Sequence, residues 1–425
     1  MSNLPRLLIV SELSLSFSKD GRSANPTLFN LFESYPAELL LQYVPKSTLR
    51  NNPPSPPFEE RVTSFPSQYL PVIRNRLGNV LNYFINRINL QFMEWLPIPN
   101  KSQLNDFDPE IILVCPITPL CLVMGYKLMM EFDRPFLIYF MDDWMAYRSS
   151  RWLYIFLEKL INPYIQTLTH TILKKSRDWL MISEQLKNEL SSRYKITPQS
   201  SLVVHNPVDL SNKSLPNFEK KSSNDIFRIA YAGSIQVMHY DALAVVAEAV
   251  YQLRCEGVSI ELVVYTAQGF WDFYQTRLET WEVIYGGLIP YNELSEHLKC
   301  ADLLLVATSF LPESAHMVRS SVLTKLTDYM ATGIPMMSCG PSYSACNHFV
   351  NKWECGLVCD TNNLPDVKAF LVTQMNNYSL NQQIAVNAFE VLKNQFEKNK
   401  ISNSLFDFIQ QAANQKLNKK LFDIY

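Results

Sequence analysis

Glycine is scarce in this chain. It occurs 11 times in 425 residues, where ordinary usage of ~7% would give about 30. The few glycines present are expected where backbone geometry demands them. Charge of one sign is also lacking: 40 acidic residues face 38 basic ones, so nothing favours a nucleic-acid partner. The eight cysteines, at 115, 121, 255, 300, 339, 346, 355 and 359, include no C-x-x-C pair, the usual signature of a zinc or redox site. Cys115, Cys121, Cys300 and Cys359 lie in or beside apolar patterns and read as small buried hydrophobes in a reducing compartment. No run suits a membrane span. The best candidate, from Ile111 to Tyr126, holds Pro116 and Pro119 and falls short of the ~20 residues required. No secretory signal precedes Leu7-Leu-Ile-Val10, so the expected location is cytoplasmic. The amphipathic stretch from Arg151 to Ile161 suits either peripheral contact with the inner face of a membrane or packing on the core.

With 47% hydrophobic and 18% charged residues, the chain is globular rather than disordered. Its length exceeds what one ordinary core supports, so two domains are expected. Apolar runs at 7–10, 37–44, 111–115, 136–140, 179–183 and 201–204 read as strands separated by helical patterns. A second set follows at 228–232, 259–264, 281–285, 303–306, 336–338 and 356–358. Strands alternating with helices imply parallel sheets built from right-handed βαβ units. Two such sets make two Rossmann-like domains, placed at 1–207 and 208–385. Helices over 386–425 are expected to pack back towards the first.

The most specific segment runs from Ser321 through Lys325, Asp328 and Gly333 to Pro335. It reads as a helix over 321–332 with serine at its start and Gly333 just past its end, followed by a proline that cannot continue it. Lys325 and Asp328 share a face near the N-terminus, the end that favours anions. A cation there suits a diphosphate and a carboxylate suits ribose hydroxyls. The plain alternative is an ordinary helix with a solvated Lys/Asp pair.

This pattern resembles the donor-binding helix of GT-B glycosyltransferases, above all the retaining family 4 enzymes, with the shorter Asp328 where they carry glutamate. Four further segments resemble that family in the same order. These are Met181-Ile-Ser183 before a helix, Asn206-Pro-Val-Asp209 between the domains, Arg228-Ile-Ala-Tyr-Ala-Gly233-Ser234, and the helix from Tyr291 to the turn Ala301-Asp302. The resemblance implies a GT-B fold, two Rossmann-like domains whose parallel sheets face an inter-domain cleft. It implies sugar transfer from a nucleotide-diphosphate sugar to a hydroxyl of a glycan or lipid-linked acceptor, with retention, in cell-surface polysaccharide or glycolipid synthesis. No metal and no cofactor beyond that co-substrate are expected.

The implied donor-binding residues are Gly233, Ser234, Arg319, Ser320, Ser321, Val322, Lys325 and Asp328, with the amides of 321–323 open to an anion. Ser320 stands where relatives carry a glutamate, and no Arg or Lys follows closely after Gly233. Arg319 and His316 are candidates to compensate. Asp142, Asp143 and Trp144 end a strand on the acceptor side. Either carboxylate could act on an acceptor hydroxyl or cap the next helix. Gly21 and Arg22 lie in the loop after the first strand, as contacts of the acceptor or the diphosphate or as part of a solvated surface loop. His316 is either catalytic or a surface histidine. The two departures also suit a non-catalytic relative acting as a binding or scaffold subunit, and a nucleotide-sugar epimerase is a third reading.

Overall fold

The first strand, β1 (Leu7–Ser11), is buried along its whole length, as a continuous apolar run with a parallel neighbour on each side must be. The computed structural model describes residues 4–16, 26–71, 73, 78–144, 152–176, 178–211, 215 and 226–422. β2 (Leu40–Pro45), β3 (Val62–Phe65), β4 (Ile111–Cys115), β5 (Phe136–Phe140), β6 (Asp178–Met181) and β7 (Ser200–Val203) complete a seven-stranded sheet. Its order is β3-β2-β1-β4-β5-β6-β7, and every neighbouring pair is parallel.

The second sheet holds β8 (Phe227–Ala232), β9 (Ile260–Tyr265), β10 (Ile284–Gly287), β11 (Leu303–Ala307), β12 (Met336–Cys339) and β13 (Leu357–Cys359). Its order is β10-β9-β8-β11-β12-β13, again parallel throughout. In each sheet the strand order reverses once, between β1 and β4 and between β8 and β11. Ligands of open parallel sheets bind at such switch points, beyond the carboxyl ends of the strands.

Each sheet carries its own core. In the first, the helix Pro119–Glu131 buries Cys121, Leu122, Val123, Met124 and Leu128. A side chain at Gly125 would bring its Cβ within 2.7 Å of Val114 Cγ2, so glycine permits this close approach of helix to strand. In the second, the helix Val237–Cys255 buries Ala242, Leu243, Val246, Ala247 and Val250, and its alanines allow similarly close packing.

The chain divides into two compact units. The first runs to His205 and resumes at Ile401; the second takes Asn206–Lys400. Residues 386–400 therefore stay with the second unit. The Asn206-Pro-Val-Asp209 segment is bonded to the returning chain: Val208 N donates to Phe396 O at 3.0 Å and Lys398 N to Val208 O at 3.0 Å.

Three local expectations are corrected. β3 follows the proline-dense segment unannounced, because a four-residue edge strand has too little sequence to show a period. Residue 281 does not begin a strand; Trp281 closes the helix Gln268–Thr280, and Glu282 turns with φ +53°, so β10 starts only at Ile284. Cys300 is exposed rather than buried, as is Cys255.

Candidate functional site

Gly233 follows β8 directly, at the switch point of the second sheet. Its φ of +128° lies where residues with a side chain rarely go. The Gly233 amide donates to Tyr265 O at 2.9 Å, which fixes the turn before the helix Val237–Cys255. An added Cβ at Gly233 would lie 3.3 Å from Lys325 Nζ. Thus the strand end and the lysine, far apart in sequence, meet. Tyr329 holds them together: its hydroxyl accepts from Ala232 N at 2.9 Å and donates to Ala232 O at 3.3 Å.

Lys325 Nζ is buried and has no hydrogen-bond partner among the described residues. It sits 4.0 Å from the centroid of the Tyr231 ring, a favourable cation–π contact but a weak substitute for an anion. Burial pulls the ammonium down to about 7, with the Cys346 thiol opposing. His239, in the first turn of the helix Val237–Cys255, is also buried. Burial first and the Lys325 charge second push it down to about 3, so it is neutral at pH 7. Its Nδ1 accepts from Gln236 N at 3.4 Å. A buried cation, a neutral imidazole, a glycine turn and the start of a 19-residue helix together form a cradle short of negative charge. Such a cradle suits an oxyanion.

Several expected donor residues lie differently. The helix spans only Lys325–Met330, not 321–332. Ser321 is extended because its amide closes the preceding helix, Ala315–Ser320, by donating to Met317 O at 2.8 Å. That amide is therefore committed, and Ser321 O accepts from Cys346 Sγ at 3.6 Å. Val322 is half-buried in the segment between the two helices. Ser320 is buried, and its hydroxyl donates to His316 O at 3.2 Å, within its own helix. Arg319 lies over the Tyr343 ring, 4.4 Å from its centroid. His316 is exposed on the same short helix. Ser234 contributes its carbonyl, which accepts from the Tyr231 hydroxyl at 2.6 Å. Asp328 is half-buried in the turn that carries Lys325.

In the first unit, Asp143 is not available to an acceptor. Its side chain is fully buried, and Arg193 engages both carboxylate oxygens at 2.9 and 2.6 Å. Asp142 is exposed, and its Oδ1 accepts from Asp143 N at 2.8 Å. Trp144 packs on the core, with Nε1 donating to Pro116 O at 3.0 Å. Gly21 and Arg22 lie outside the described residues, as do the side chains of 151–161.

Sequence reasoning missed Glu12. Its carboxylate follows β1 and accepts from Ile117 N at 3.0 Å, Thr118 N at 3.2 Å and Cys121 N at 3.1 Å, and from the Thr118 hydroxyl. It thereby fills the N-terminus of the helix Pro119–Glu131. The switch point of the first sheet already holds an anion of its own, while at that of the second Lys325 Nζ has no hydrogen-bond partner among the described residues. A carboxylate one residue past a strand at the switch point is the signal that could have revealed it.

Among the described residues no cluster of three or more His, Cys, Asp or Glu forms a metal site, and no helix is long and apolar enough to cross a membrane. By sequence, no family model and no curated protein matches the chain. By structure, it is similar to a sucrose-phosphate synthase from Thermosynechococcus elongatus, with a TM-score of 0.65 and 12% identity over 99% of this chain and 100% of that one. It is also similar to an α,α-trehalose 6-phosphate synthase from Burkholderia multivorans (0.64, 10%, 98% and 99%). A third is the Anabaena protein HepE in complex with UDP and glucose (0.61, 14%, 96% and 99%). At these identities the likeness establishes the fold, which is GT-B.

Proposed function

We propose that this chain is a glycosyltransferase of the family 4 type. It moves a sugar from a nucleotide-diphosphate sugar to a hydroxyl of a glycan or lipid-linked acceptor, with retention and without a bound metal. The setting is cell-surface polysaccharide or glycolipid synthesis on the cytoplasmic side, with peripheral membrane contact. The observation that carries the reading is Lys325 Nζ, buried without a hydrogen-bond partner beside Gly233 at the switch point of the second sheet.

A diphosphate there would gain a charge-assisted partner and the first amides of the helix Val237–Cys255. As the sugar–phosphate bond breaks, negative charge grows on the leaving diphosphate, and a preorganised cation stabilises it most at that moment. Asp328, on the turn of Lys325, is the group assigned to the ribose hydroxyls. Asp142 is the carboxylate assigned to an acceptor hydroxyl, with His316 as a donor-sugar contact. Similarity to HepE, whose structures include one with UDP-glucose, supports UDP-sugars as the first donors to try.

A second reading, donor binding without turnover, draws on Ser320 and Arg319. Both are tied to other partners, which leaves the donor sugar with few charged contacts. Thermal unfolding with a panel of nucleotide diphosphates and nucleotide sugars tests both readings. A ligand at a hundredfold excess over its Kd stabilises by about 2.7 kcal/mol. One nucleotide is expected to raise the Tm, and Lys325→Ala and Asp328→Ala to abolish that rise. An undiminished shift in Lys325→Ala, or no shift with any nucleotide, sinks the donor site. A shift with no sugar released or transferred favours the scaffold.

A further inference from the structure

A cavity of about 620 Å³ opens in the first unit. It lies beyond the carboxyl ends of β2 and β3, which are parallel neighbours paired through Pro45 and Phe65. The chain leaves β2 into the helix Lys46–Asn51 and leaves β3 into 66–68, and the cavity forms where these segments part. Lys46, Ser47, Arg50, Asn51, Ser67 and Gln68 line it, with Pro66 at one wall. Among the described residues no carboxylate lines it.

The two cations are four residues apart, so they stand on one face of a short helix. Like charges at that spacing repel, yet neither Lys46 nor Arg50 has an ion pair or side-chain hydrogen bond among the described residues. The hydroxyls, by contrast, are organised. Ser67 Oγ accepts from Ser47 N at 2.7 Å and donates to Ser47 Oγ at 2.7 Å, which leaves the Ser47 proton free to donate. Cavities of a few hundred Å³ hold small molecules rather than single ions. Two cations, hydroxyls, two amides and one proline ring fit a polyhydroxylated ligand that bears an oxyanion.

We infer that this cavity binds a phosphorylated sugar unit, with Lys46 and Arg50 on the phosphate and the polar side chains on the hydroxyls. As an anion site it stands alone; as the place of an acceptor's charged end it rests on the glycosyl-transfer reading. The shared chemistry admits a free sugar phosphate or inorganic phosphate, and the test separates them.

Calorimetric titration of the full chain with glucose 6-phosphate, glucose and inorganic phosphate at low and moderate salt is the experiment. Lys46→Gln/Arg50→Gln is the variant; both side chains are exposed, so the fold tolerates the change. Glucose 6-phosphate is expected to bind, with affinity falling as salt rises and dropping at least tenfold in the variant. Glucose is expected not to bind. Equal affinity for inorganic phosphate would reduce the site to an adventitious anion patch and overturn the sugar component. No binding, or binding unchanged in the variant, overturns the site. Nucleotide stabilisation should survive in the double variant, and glucose 6-phosphate binding should survive in Lys325→Ala, so either site can fail without the other.

Discussion

Lys325 is the residue on which most depends. Its folded value of about 7 lies below the ordinary 10.5, so between those values the unfolded chain binds more protons than the folded one. The ligand-free fold therefore gains stability as pH rises from about 7 to about 10. An anion beside Nζ reverses this, because it restores the ammonium and binding then takes up a proton. Affinity for UDP should fall by about tenfold per pH unit through the range between those two values. Titrations at pH 7, 8 and 9, in buffers of different ionisation enthalpy, would read both the slope and the proton. Lys325→Met should flatten the profile and raise the ligand-free Tm at pH 7, since it removes a buried charge without a partner. A flat profile in the natural protein would mean that the diphosphate binds elsewhere.

At the scale of elements, the two sheets share one plan and differ in what their helix starts hold. Glu12 plugs the helix Pro119–Glu131, whereas Lys325, beside the turn before Val237–Cys255, has no hydrogen-bond partner among the described residues. The Asp143–Arg193 pair belongs to the scaffold as well, joining the end of β5 to the helix Glu184–Tyr194. Removing one partner of a charged hydrogen-bonded pair costs about 2 kcal/mol. Asp143→Ala should lower stability by that amount in urea unfolding while leaving stabilisation by nucleotide unchanged. If nucleotide stabilisation disappeared while the variant stayed folded, the purely structural role would be wrong.

At the scale of the whole molecule, the two ends of the segment Asn206–Lys400 are joined to each other within the second unit. Beside the backbone bonds of Val208, Lys398 Nζ meets Asp209 Oδ2 at 3.1 Å. Asp209 is held down to about 2 by the Ser211 hydroxyl first, then by its amide and by Lys398. A depressed carboxylate stabilises above its ordinary 3.8 and loses that contribution as pH falls towards the folded value. Asp209→Asn should therefore lower the Tm at pH 7, by a small amount because the side chain is half-exposed. The gap to the natural protein should narrow as pH falls through the carboxylate range. A gap that stays constant with pH would mean the carboxylate charge contributes nothing.

Much of this architecture was legible in the residues alone. Buried parallel strands are continuous apolar runs, so β1, β4, β5, β8 and β11 announced themselves, and their alternation with helices implied two parallel sheets. Gly233 stood out because few residue types serve a tight turn, and Lys325 and Asp328 stood out as candidates for a diphosphate and for ribose hydroxyls. What the sequence could not decide were pairings made across long separations. Whether Asp143 faces a ligand or Arg193 depends on a helix some fifty residues away. Whether Ser321 starts one helix or ends another depends on which carbonyl its amide reaches, and Met317 O takes it. Local pattern determined which elements exist and where each strand ends. Only tertiary packing decided which charges were neutralised from within, at Glu12 and Asp143, and which, at Lys325, was left without a hydrogen-bond partner among the described residues.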